Sequence, residues 1–339
     1  MLRQQKANFP YKFPQCTELV YTMIREILDS SNISQSRLSN PPPCFPPPTR
    51  ERKVTVAGRS HSNKLQRILE EYHQILPTVM SFASRVFAIT GGASGMGLAV
   101  AKLLSKQGAA AVCIGDLNKK NFESAIKEIR AENPDTAVDM SALDVSKSAA
   151  VEEWISSIVH KYGRLDGAAN VAGVPQVARQ SSEAGPTLLD ESDDMWRLHM
   201  GVNLDGVFYC TRSQVRAMTA LRHKGDKTER SIVNVSSMAA LSNGPSCLSY
   251  GVAKTAVVSL GARIAKDVAP FGIRLNTVLP GATNSPMLSQ FFPGDAKSIV
   301  ATLGYDVLEP EDIARTIVYL LSDESKKISG VSLPVGSGH

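Results

Sequence analysis

The sequence lacks a hydrophobic run long enough to cross a membrane. No stretch of its 339 residues approaches the roughly 18–20 consecutive apolar residues of a membrane-spanning helix. Internal repeats and a signal-peptide pattern are also absent, which argues against a repeat architecture and against secretion. We therefore expect a protein that has no membrane partner and lies in the cytoplasm.

Cysteine is scarce, and its spacing forms no motif. The five cysteines make neither a Cys-x-x-Cys pair nor a metal-ligand spacing. Cys113 and Cys210 lie within apolar runs, where cysteine usually acts as a small hydrophobic residue. These absences exclude a disulfide framework, favour a reducing compartment and predict no metal site.

The body of the chain lacks an excess of either charge. Residues 80–339 hold 26 Lys and Arg and 26 Asp and Glu, so the net charge of +5 belongs entirely to residues 1–79. The body therefore shows no bias toward nucleic acid. Residues 1–79 also hold 9 of the 19 prolines, with a polyproline-like run over residues 41–48. We expect residues 1–79 to form a basic, largely disordered extension, followed by one catalytic domain over residues 80–339.

Three interpretations of this N-terminal extension are open. It could be a plain linker, a polyproline ligand for an SH3-type partner, or a segment outside the functional chain, since Met80 falls just before the first predicted strand. Its acid-poor opening over residues 1–12 only faintly resembles an organelle transit peptide. The residues alone do not decide among these interpretations.

A glycine-rich turn between an apolar strand and a helix is the most informative stretch. Residues 86–89 are typical of a buried parallel strand, and apolar residues with helical spacing follow over residues 98–104. This arrangement lets backbone N–H groups and a helix N-terminus hold a pyrophosphate, although glycine-rich loops are also common without one. The turn residues predicted to bind a cofactor are Gly91, Gly92, Ser94, Gly95, Met96 and Gly97.

A carboxylate at the end of the next predicted strand supports a dinucleotide. Asp116 lies roughly 20–25 residues beyond the glycine turn, where a carboxylate accepts hydrogen bonds from an adenosine ribose. It would also repel a 2′-phosphate, which favours NAD over NADP. The adjacent Leu117 supplies no cation for that phosphate, although Lys119 and Lys120 lie close by. The alternative interpretation of Asp116 is a turn or helix cap.

Seven short apolar runs alternate with six longer helical patterns from residue 80 onward. This alternation predicts a single-domain, Rossmann-like α/β fold, with a doubly wound seven-stranded parallel sheet and helices on both faces. The predicted strands are Arg85–Thr90, Ala111–Gly115, Ala137–Leu143, Asp166–Asn170, Ser231–Val235, Arg274–Val278 and Val331–Pro334. The predicted helices are Met96–Lys106, Lys120–Glu132, Ala149–Tyr162, Asp193–Leu221, Tyr250–Val268 and Pro310–Leu321.

Three further predicted strand ends carry polar or small residues. Ligands of doubly wound sheets bind at the carboxyl ends of the strands. Asp144 and Val145 follow the third strand, and Asp144 is expected near the adenine. Each of these loops is ordinary by itself, but together they fall where one dinucleotide would lie. The cofactor residues predicted in the other two loops are Asn170, Ala172, Gly173, Pro280, Gly281 and Thr283.

A phenol and an ammonium lie on one face of a predicted helix. Tyr250 and Lys254 are four residues apart. An isolated tyrosine has a pKa of about 10, and a neighbouring ammonium lowers that pKa toward neutrality. Ser237, at the end of the fifth strand, is placed to hydrogen-bond a substrate oxygen, and Asn203 is polar among core-like neighbours. Taken singly, a surface pair, a strand end and a buried amide would explain them equally well.

Together these residues resemble the short-chain dehydrogenase/reductase family over residues 84–336. The shared motifs are Thr90-Gly91-x-x-x-Gly95-x-Gly97, Asp116, Asp144, Asn170-x-Ala172-Gly173, Asn203, Ser237, Tyr250-x-x-x-Lys254 and Pro280-Gly281. The resemblance implies that Tyr250 transfers the proton and that Lys254 holds the nicotinamide ribose and lowers the tyrosine pKa. It also implies that Ser237 orients the substrate oxygen and that Asn203 supports a water-mediated proton relay. Val171 departs from the family, which often has a second Asn there.

A narrower resemblance is to fungal members of this family from ergot alkaloid pathways, the chanoclavine-I dehydrogenases. The similar stretches are residues 84–94, 206–212, 272–276, 282–288 and 311–318. Those members oxidise a primary allylic alcohol with NAD. The resemblance implies an NAD-dependent oxidoreductase that moves a hydride between nicotinamide and an alcohol or carbonyl of a fungal secondary metabolite. Family likeness also implies a homodimer or homotetramer formed through the two longest predicted helices.

Two loops are predicted to select the substrate, residues 174–189 and residues 284–305. The second is rich in apolar side chains, which favours a hydrophobic or polycyclic substrate. Two alternative functions are an NADP-linked ketone or aldehyde reductase and a nucleotide-binding scaffold without catalysis. The complete set of Ser237, Asn203, Tyr250 and Lys254 argues against the scaffold.

Overall fold

The computed structural model describes residues 82–175, 187–242, 248–291 and 306–336. The predicted N-terminal extension and much of both predicted substrate loops therefore lie outside the described residues. Within the described ranges, seven strands form one sheet in the order β3-β2-β1-β4-β5-β6-β7. Every neighbouring pair is parallel, which confirms the predicted doubly wound α/β fold.

Each predicted strand is present and ends within two residues of its expected position. The strands are β1 (Val86–Thr90), β2 (Ala111–Asp116), β3 (Ala137–Ala142), β4 (Gly167–Asn170), β5 (Arg230–Val235), β6 (Ile273–Pro280) and β7 (Ser332–Val335). The helices are α1 (Gly95–Lys106), α2 (Phe122–Glu132), α3 (Ser148–Tyr162), α4 (Asp193–His199), α5 (Gly206–His223), α6 (Leu248–Val268), α7 (Leu288–Phe291) and α8 (Pro310–Leu321). No helix of the described ranges is both long enough and apolar enough to cross a membrane.

Both faces of the sheet are covered by helices, which explains the continuous apolar strands. Alternate side chains of a strand point to opposite faces. Phe87 and Ile89 of β1 pack in a cluster with α1, α2 and α8, whereas Val86 and Ala88 pack in a second cluster with α3, α5 and α6. Burying each large apolar side chain contributes about 1.5–3 kcal/mol, so the central strands need apolar residues at every position.

The predicted continuous helix over residues 193–221 is wrong at its centre. α4 ends at His199, a π-helical turn spans Met200–Asp205, and α5 begins at Gly206. The wider turn holds Asn203 against the backbone of Val174, which satisfies both polar groups of this buried amide. An apolar repeat averaged over many residues does not show one widened turn.

Cys113 and Cys210 are buried free thiols, as their apolar surroundings predict. Burial raises the pKa of each thiol to about 12. Since the thiolate is the reactive form, both side chains act as small hydrophobic groups rather than as nucleophiles.

Candidate active site

A cleft opens at the carboxyl edge of the sheet between β1 and β4. The strand order reverses at this point, which is where doubly wound sheets bind ligands. The hydroxyl of Thr90, at the end of β1, accepts hydrogen bonds of 3.2 Å from the N–H groups of both Val171 and Ala172. The loops that follow β1 and β4 are therefore held side by side as the floor of the cleft.

The glycine turn forms one wall, and a side chain at either of two of its glycines would clash with backbone atoms. Gly91 has a φ of +66°, and a Cβ atom there would lie 2.9 Å from the Cα of Ala172. A Cβ atom at Gly97 would lie only 2.2 Å from the carbonyl oxygen of Gly91. The turn is consequently as tight as backbone atoms allow, and its N–H groups lie close to the cleft.

The N-terminus of α1 is suited to hold an anion. α1 follows Ser94, whose side chain makes no capping hydrogen bond. The first N–H groups of a helix have no partner within the helix, and the helix dipole favours negative charge there. Ser94, Gly95, Met96 and Gly97 all line the cleft. These residues fit the pyrophosphate of a dinucleotide, as the sequence predicts.

Two carboxylates lie farther along the same wall. Asp116 ends β2, and its Oδ2 accepts a hydrogen bond of 3.0 Å from the N–H of Ala93 in the glycine turn. Its Oδ1 accepts one of 2.9 Å from the N–H of Asn118. Asp144 is held in a similar way, since its Oδ1 accepts hydrogen bonds from the N–H and the hydroxyl of Ser146. Both carboxylates line the cleft, where a bound adenosine could reach them.

Most of the predicted cofactor residues meet in this one cleft, and seven lie outside its lining. The residues that line it are Gly91, Ser94, Gly95, Met96, Gly97, Asp116, Leu117, Asp144, Val145, Ala172 and Gly173. The predicted cofactor residues outside this lining are Gly92, Asn170, Tyr250, Lys254, Pro280, Gly281 and Thr283. The position of Gly92 has a steric origin, because a Cβ atom there would lie 2.8 Å from the side chain of Ile114 in β2.

The side chain of Asn170 points into the core rather than toward the cleft. Its Nδ2 donates to Asn234 Oδ1 at 2.8 Å and to Gln214 Oε1 at 3.0 Å, and its Oδ1 accepts from Gln214 Nε2 at 2.8 Å. Asn170 therefore joins β4, β5 and α5 below the site. Any contact that it makes with a cofactor would involve its backbone.

The loop after β6 contributes residues beyond those predicted for the cofactor. Gly281 donates its N–H to the carbonyl of Val335, and the hydroxyl of Thr283 donates to the carbonyl of Gly281. Both residues therefore hold the loop after β6 in place. Ser285, Pro286 and Met287 line the cleft instead. These three residues fall in the second predicted substrate loop. They lie near the glycine turn because β6 ends at the same edge of the sheet as β1.

Tyr250 and Lys254 are both buried on α6. Tyr250 is 7% exposed and Lys254 is 3% exposed. The ammonium lies 5.7 Å from the centre of the Tyr250 ring and donates a hydrogen bond of 3.1 Å to the carbonyl of Val235. Burial lowers the pKa of Lys254 to about 8, because the apolar interior disfavours the charged form.

Gly173 lies between the cleft and two predicted catalytic side chains. It lines the cleft, and a Cβ atom there would lie 2.9 Å from Asn203 Oδ1 and 3.5 Å from Lys254 Nζ. Asn203 in turn accepts from the N–H of Val174 at 2.9 Å and donates to its carbonyl at 3.0 Å. The loop after β4 thus passes directly between the two predicted catalytic side chains and the cleft.

Neighbouring serines at the end of β5 have different environments. Ser236 is buried, and its hydroxyl donates to the carbonyl of Lys254 at 2.7 Å, which ties β5 to α6. Ser237 is partly exposed and begins a short 3₁₀ turn, where its hydroxyl accepts from the N–H of Ala239 at 3.1 Å. Ser237 is therefore the serine that could reach a substrate.

A buried polar network beside Tyr250 was missed by the sequence reasoning. His199 is fully buried, and its ring lies edge-to-face with that of Tyr250 at 6.1 Å between centres. Its Nδ1 lies 2.5 Å from the hydroxyl of Ser249, and its Nε2 lies 3.2 Å from the carbonyl of Pro175. Ser249 also donates to the carboxylate of Glu191. The available signal was His199 itself, one helical turn before Asn203.

Comparisons with known proteins agree with this geometry. A family model described as Enoyl-(Acyl carrier protein) reductase matches residues 91–339. The chain is 47% identical over 262 residues to a chanoclavine-I dehydrogenase of Penicillium roqueforti, and the alignment covers 76% of this chain and 98% of the relative. It is 46% identical over 262 residues to a chanoclavine-I dehydrogenase of Claviceps purpurea, again with 76% and 98% covered.

A solved structure shares the fold. The crystal structure of a 3-ketoacyl-(acyl-carrier-protein) reductase from Brucella melitensis complexed with NADH superposes with a TM-score of 0.65 at 30% identity. The superposition covers 76% of this chain and 98% of that one. Similarity to known proteins therefore extends over the sheet and over the cleft at its edge.

Proposed function

The chain belongs to the short-chain dehydrogenase/reductase family and is an oxidoreductase acting on CH–OH groups. From that premise, we propose that it oxidises an alcohol of a hydrophobic fungal metabolite with NAD. One observation carries the proposal. Gly173 lines the cleft and also lies against Asn203 and Lys254. A cofactor in the cleft would therefore end beside the groups that move a proton.

The residues of the cleft fit a nicotinamide dinucleotide. The tight glycine turn and the uncapped start of α1 suit a pyrophosphate, and Asp116 and Asp144 suit the adenosine. The carboxylate of Asp116 disfavours a 2′-phosphate, which is the reason for proposing NAD rather than NADP. The bound dinucleotide supplies the hydride acceptor in alcohol oxidation.

Tyr250 is proposed to take the proton as the alcohol becomes a carbonyl. The nearby ammonium of Lys254 favours the phenolate form that this step needs. Ser237 would donate a hydrogen bond to the substrate oxygen and hold it in line with the phenol. Asn203 would keep the loop after β4 in place through its two hydrogen bonds to Val174.

The substrate is proposed to be an apolar molecule with a primary allylic alcohol. Pro286 and Met287 line the cleft next to the glycine turn, and Leu288 is buried behind them. Both relatives reported above are chanoclavine-I dehydrogenases, and each aligns over 98% of its own length. Apolar lining and this likeness support the same class of substrate.

The chain is also proposed to form a homodimer or homotetramer through α4, α5 and α6. Trp196, Leu198, Phe208 and Val252 lie on these helices, and each is between 37% and 43% exposed. A single exposed apolar residue is ordinary, but four on adjoining helices favour an interface. Light scattering of the wild type and of Phe208→Glu tests this, since the charge should lower the mass to that of a smaller species.

The experiment that tests the function is an oxidation assay on the purified full chain. Chanoclavine-I and a panel of simpler allylic, benzylic and aliphatic alcohols are incubated with NAD or NADP, and nicotinamide absorbance is followed. We expect turnover of the apolar allylic alcohols with NAD preferred. Tyr250→Phe should lower turnover by about 10³-fold while the Kd for NAD changes little. Tyr319→Phe, at an exposed tyrosine of α8, is the matched control.

Full activity in Tyr250→Phe would refute the mechanism. Preference for NADP would refute the role of Asp116 and favour the reductase alternative. Binding of NAD without turnover of any alcohol or carbonyl would favour a scaffold.

A further inference from the structure

His199 holds a position that its hydrogen-bond partners define closely. Nε2 lies 3.2 Å from the carbonyl of Pro175, which can only accept a hydrogen bond. Nε2 must therefore carry a proton. The partner of Nδ1 is the hydroxyl of Ser249 at 2.5 Å, and a hydroxyl can either donate or accept.

Glu191 decides the direction of the second hydrogen bond. Ser249 donates its only hydroxyl proton to the carboxylate of Glu191. An ionised carboxylate only accepts hydrogen bonds, so that proton is not available to His199. The oxygen of Ser249 must then accept from Nδ1. With Glu191 ionised, both ring nitrogens of His199 therefore act as donors, which is the hydrogen-bond pattern of an imidazolium.

The titratable groups around His199 come from two parts of the chain. Glu191, before α4, supplies the opposite charge through Ser249. α6 contributes Tyr250, whose ring centre lies 6.1 Å from that of His199, and Lys254, whose ammonium lies 5.7 Å from the Tyr250 ring centre. The Tyr250 ring therefore lies near both His199 and Lys254.

We propose that His199 is a protonated positioning residue whose charge stabilises the phenolate of Tyr250. The inference rests on the proposed function, because it gives Tyr250 a reason to ionise. For two unit charges as far apart as the two ring centres, about 6 Å, the pKa of the phenol would change by roughly 0.5 to 2 pH units at an effective dielectric constant between about 80 and 20. Lys254 cannot supply all of this effect near pH 8, because its own pKa lies at about 8.

His199→Phe keeps a ring of similar size and removes the charge. In this variant the acidic limb of kcat/KM for alcohol oxidation should move up by about 0.5 to 2 pH units, with activity recovering at higher pH. Glu191→Gln removes the carboxylate that balances the imidazolium, so ¹⁵N NMR should show the proton of His199 Nδ1 lost at a lower pH than in the wild type. His223→Phe, at an exposed histidine stacked on Phe271, is the matched control and should leave the profile unchanged.

Two measurements without substrate separate this inference from the proposed function. ¹⁵N NMR of the histidines of the wild type, with His199 assigned from its absence in His199→Phe, should show two protonated ring nitrogens at the pH of the activity plateau. Tyrosinate absorbance, taken as the difference between wild type and Tyr250→Phe, gives the ionisation midpoint of Tyr250. The same difference in the His199→Phe background should lie at higher pH.

A neutral His199 in the NMR spectrum would overturn the proposal even if His199→Phe fails to fold. An unchanged Tyr250 midpoint, or a uniform loss of activity across all pH values, would also overturn it and leave His199 a structural role. Absence of alcohol oxidation in the wild type would count against the proposed function alone, because the NMR and absorbance measurements do not require turnover.

Discussion

The two ends of the cleft are built in different ways. The nucleotide end, formed by the glycine turn over residues 90–97 with Asp116 and Asp144, consists of tightly packed backbone and carboxylates held mainly by nearby N–H groups. The catalytic end, formed by Gly173, Asn203, Ser237, Tyr250 and Lys254, consists largely of buried polar side chains held by distant parts of the chain.

This difference shows that the two ends are sensitive to different changes. At the nucleotide end, charge lies near solvent and costs little, but an added methyl group meets backbone. At the catalytic end, a helix surface can accept an added atom, but a buried charge destabilises the fold and has a proposed role in the chemistry. Substitutions that add volume at the nucleotide end should therefore lower stability and activity together, whereas removal of the buried charge at the catalytic end should raise stability and lower activity.

The largest effect is expected from Gly97→Ala at the nucleotide end. The added Cβ would lie 2.2 Å from the carbonyl oxygen of Gly91 and 2.9 Å from the Cα of Gly92, and neither backbone atom can move away cheaply. We expect the free energy of unfolding to fall by about 3 kcal/mol and NAD affinity to fall by at least about 100-fold. Urea denaturation and NAD titration measure these changes.

Gly201→Ala is the control for this prediction, because its Cβ would come no closer than 3.9 Å to a neighbouring atom. Wild-type stability in Gly97→Ala would show that the turn is looser than its geometry indicates.

Lys254→Met should abolish turnover and yet stabilise the fold. The pKa of Lys254 is about 8 in the folded protein against about 10.5 in the unfolded chain. The folded state therefore disfavours the charged ammonium, and this cost is fully present below about pH 8 and disappears as pH rises toward 10.5. After allowance for the lost hydrogen bond to Val235, Met should raise the free energy of unfolding by about 2 kcal/mol at pH 7.

Urea denaturation at pH 7 and at pH 10.5 checks this sign. The gain should shrink at the higher pH, where the folded lysine is neutral and only half of the unfolded lysine is still protonated. If the variant is less stable than wild type at pH 7, the contacts of the ammonium stabilise the fold by more than its burial destabilises it.

Asp116→Asn tests charge at the nucleotide end without changing shape. An amide no longer repels a 2′-phosphate, so the ratio of kcat/KM for NADP to that for NAD should rise by about 10-fold, equivalent to about 1.4 kcal/mol. Asp144→Asn is the matched control, since it removes a carboxylate of the same wall with a similar local hydrogen-bond arrangement. Asp144→Asn should lower the affinity for NAD and for NADP alike. A rise in the NADP to NAD ratio for Asp144→Asn would mean that Asp144 also discriminates between the two cofactors, contrary to the role proposed for Asp116.

The smallest effect is expected from Gly251→Ala at the catalytic end. Gly251 lies within α6, and a Cβ atom there would make only an ordinary contact of 3.7 Å with the carbonyl of Ala239. Alanine restricts the unfolded chain, so the free energy of unfolding should rise by about 0.5–1 kcal/mol. Thermal denaturation measures the gain, and a lower melting temperature would contradict the idea that this end tolerates added volume.

The nucleotide end could be predicted from sequence more fully than the catalytic end. Strand, glycine turn and carboxylate follow one another along the chain, so Gly91, Gly97 and Asp116 could be placed by spacing alone. By contrast, the orientation of the Asn170 side chain toward the core depends on Gln214 and Asn234, which are 44 and 64 residues away. The π-helical turn at Asn203 and the network at His199 likewise had no periodic signal.

The seven-stranded sheet, its order of elements and the glycine turn follow from residues that are close neighbours in the chain, because burial on two faces and tight turns impose local patterns. Which polar side chains meet beside Tyr250 was decided only by the packing of α4, α6 and the loop after β4. Hydrogen bonds such as those of His199 to Ser249, 50 residues apart, and of Asn203 to Val174, 29 apart, form only where elements cross. Their energy depends on distance and burial, which local patterns in a sequence do not encode.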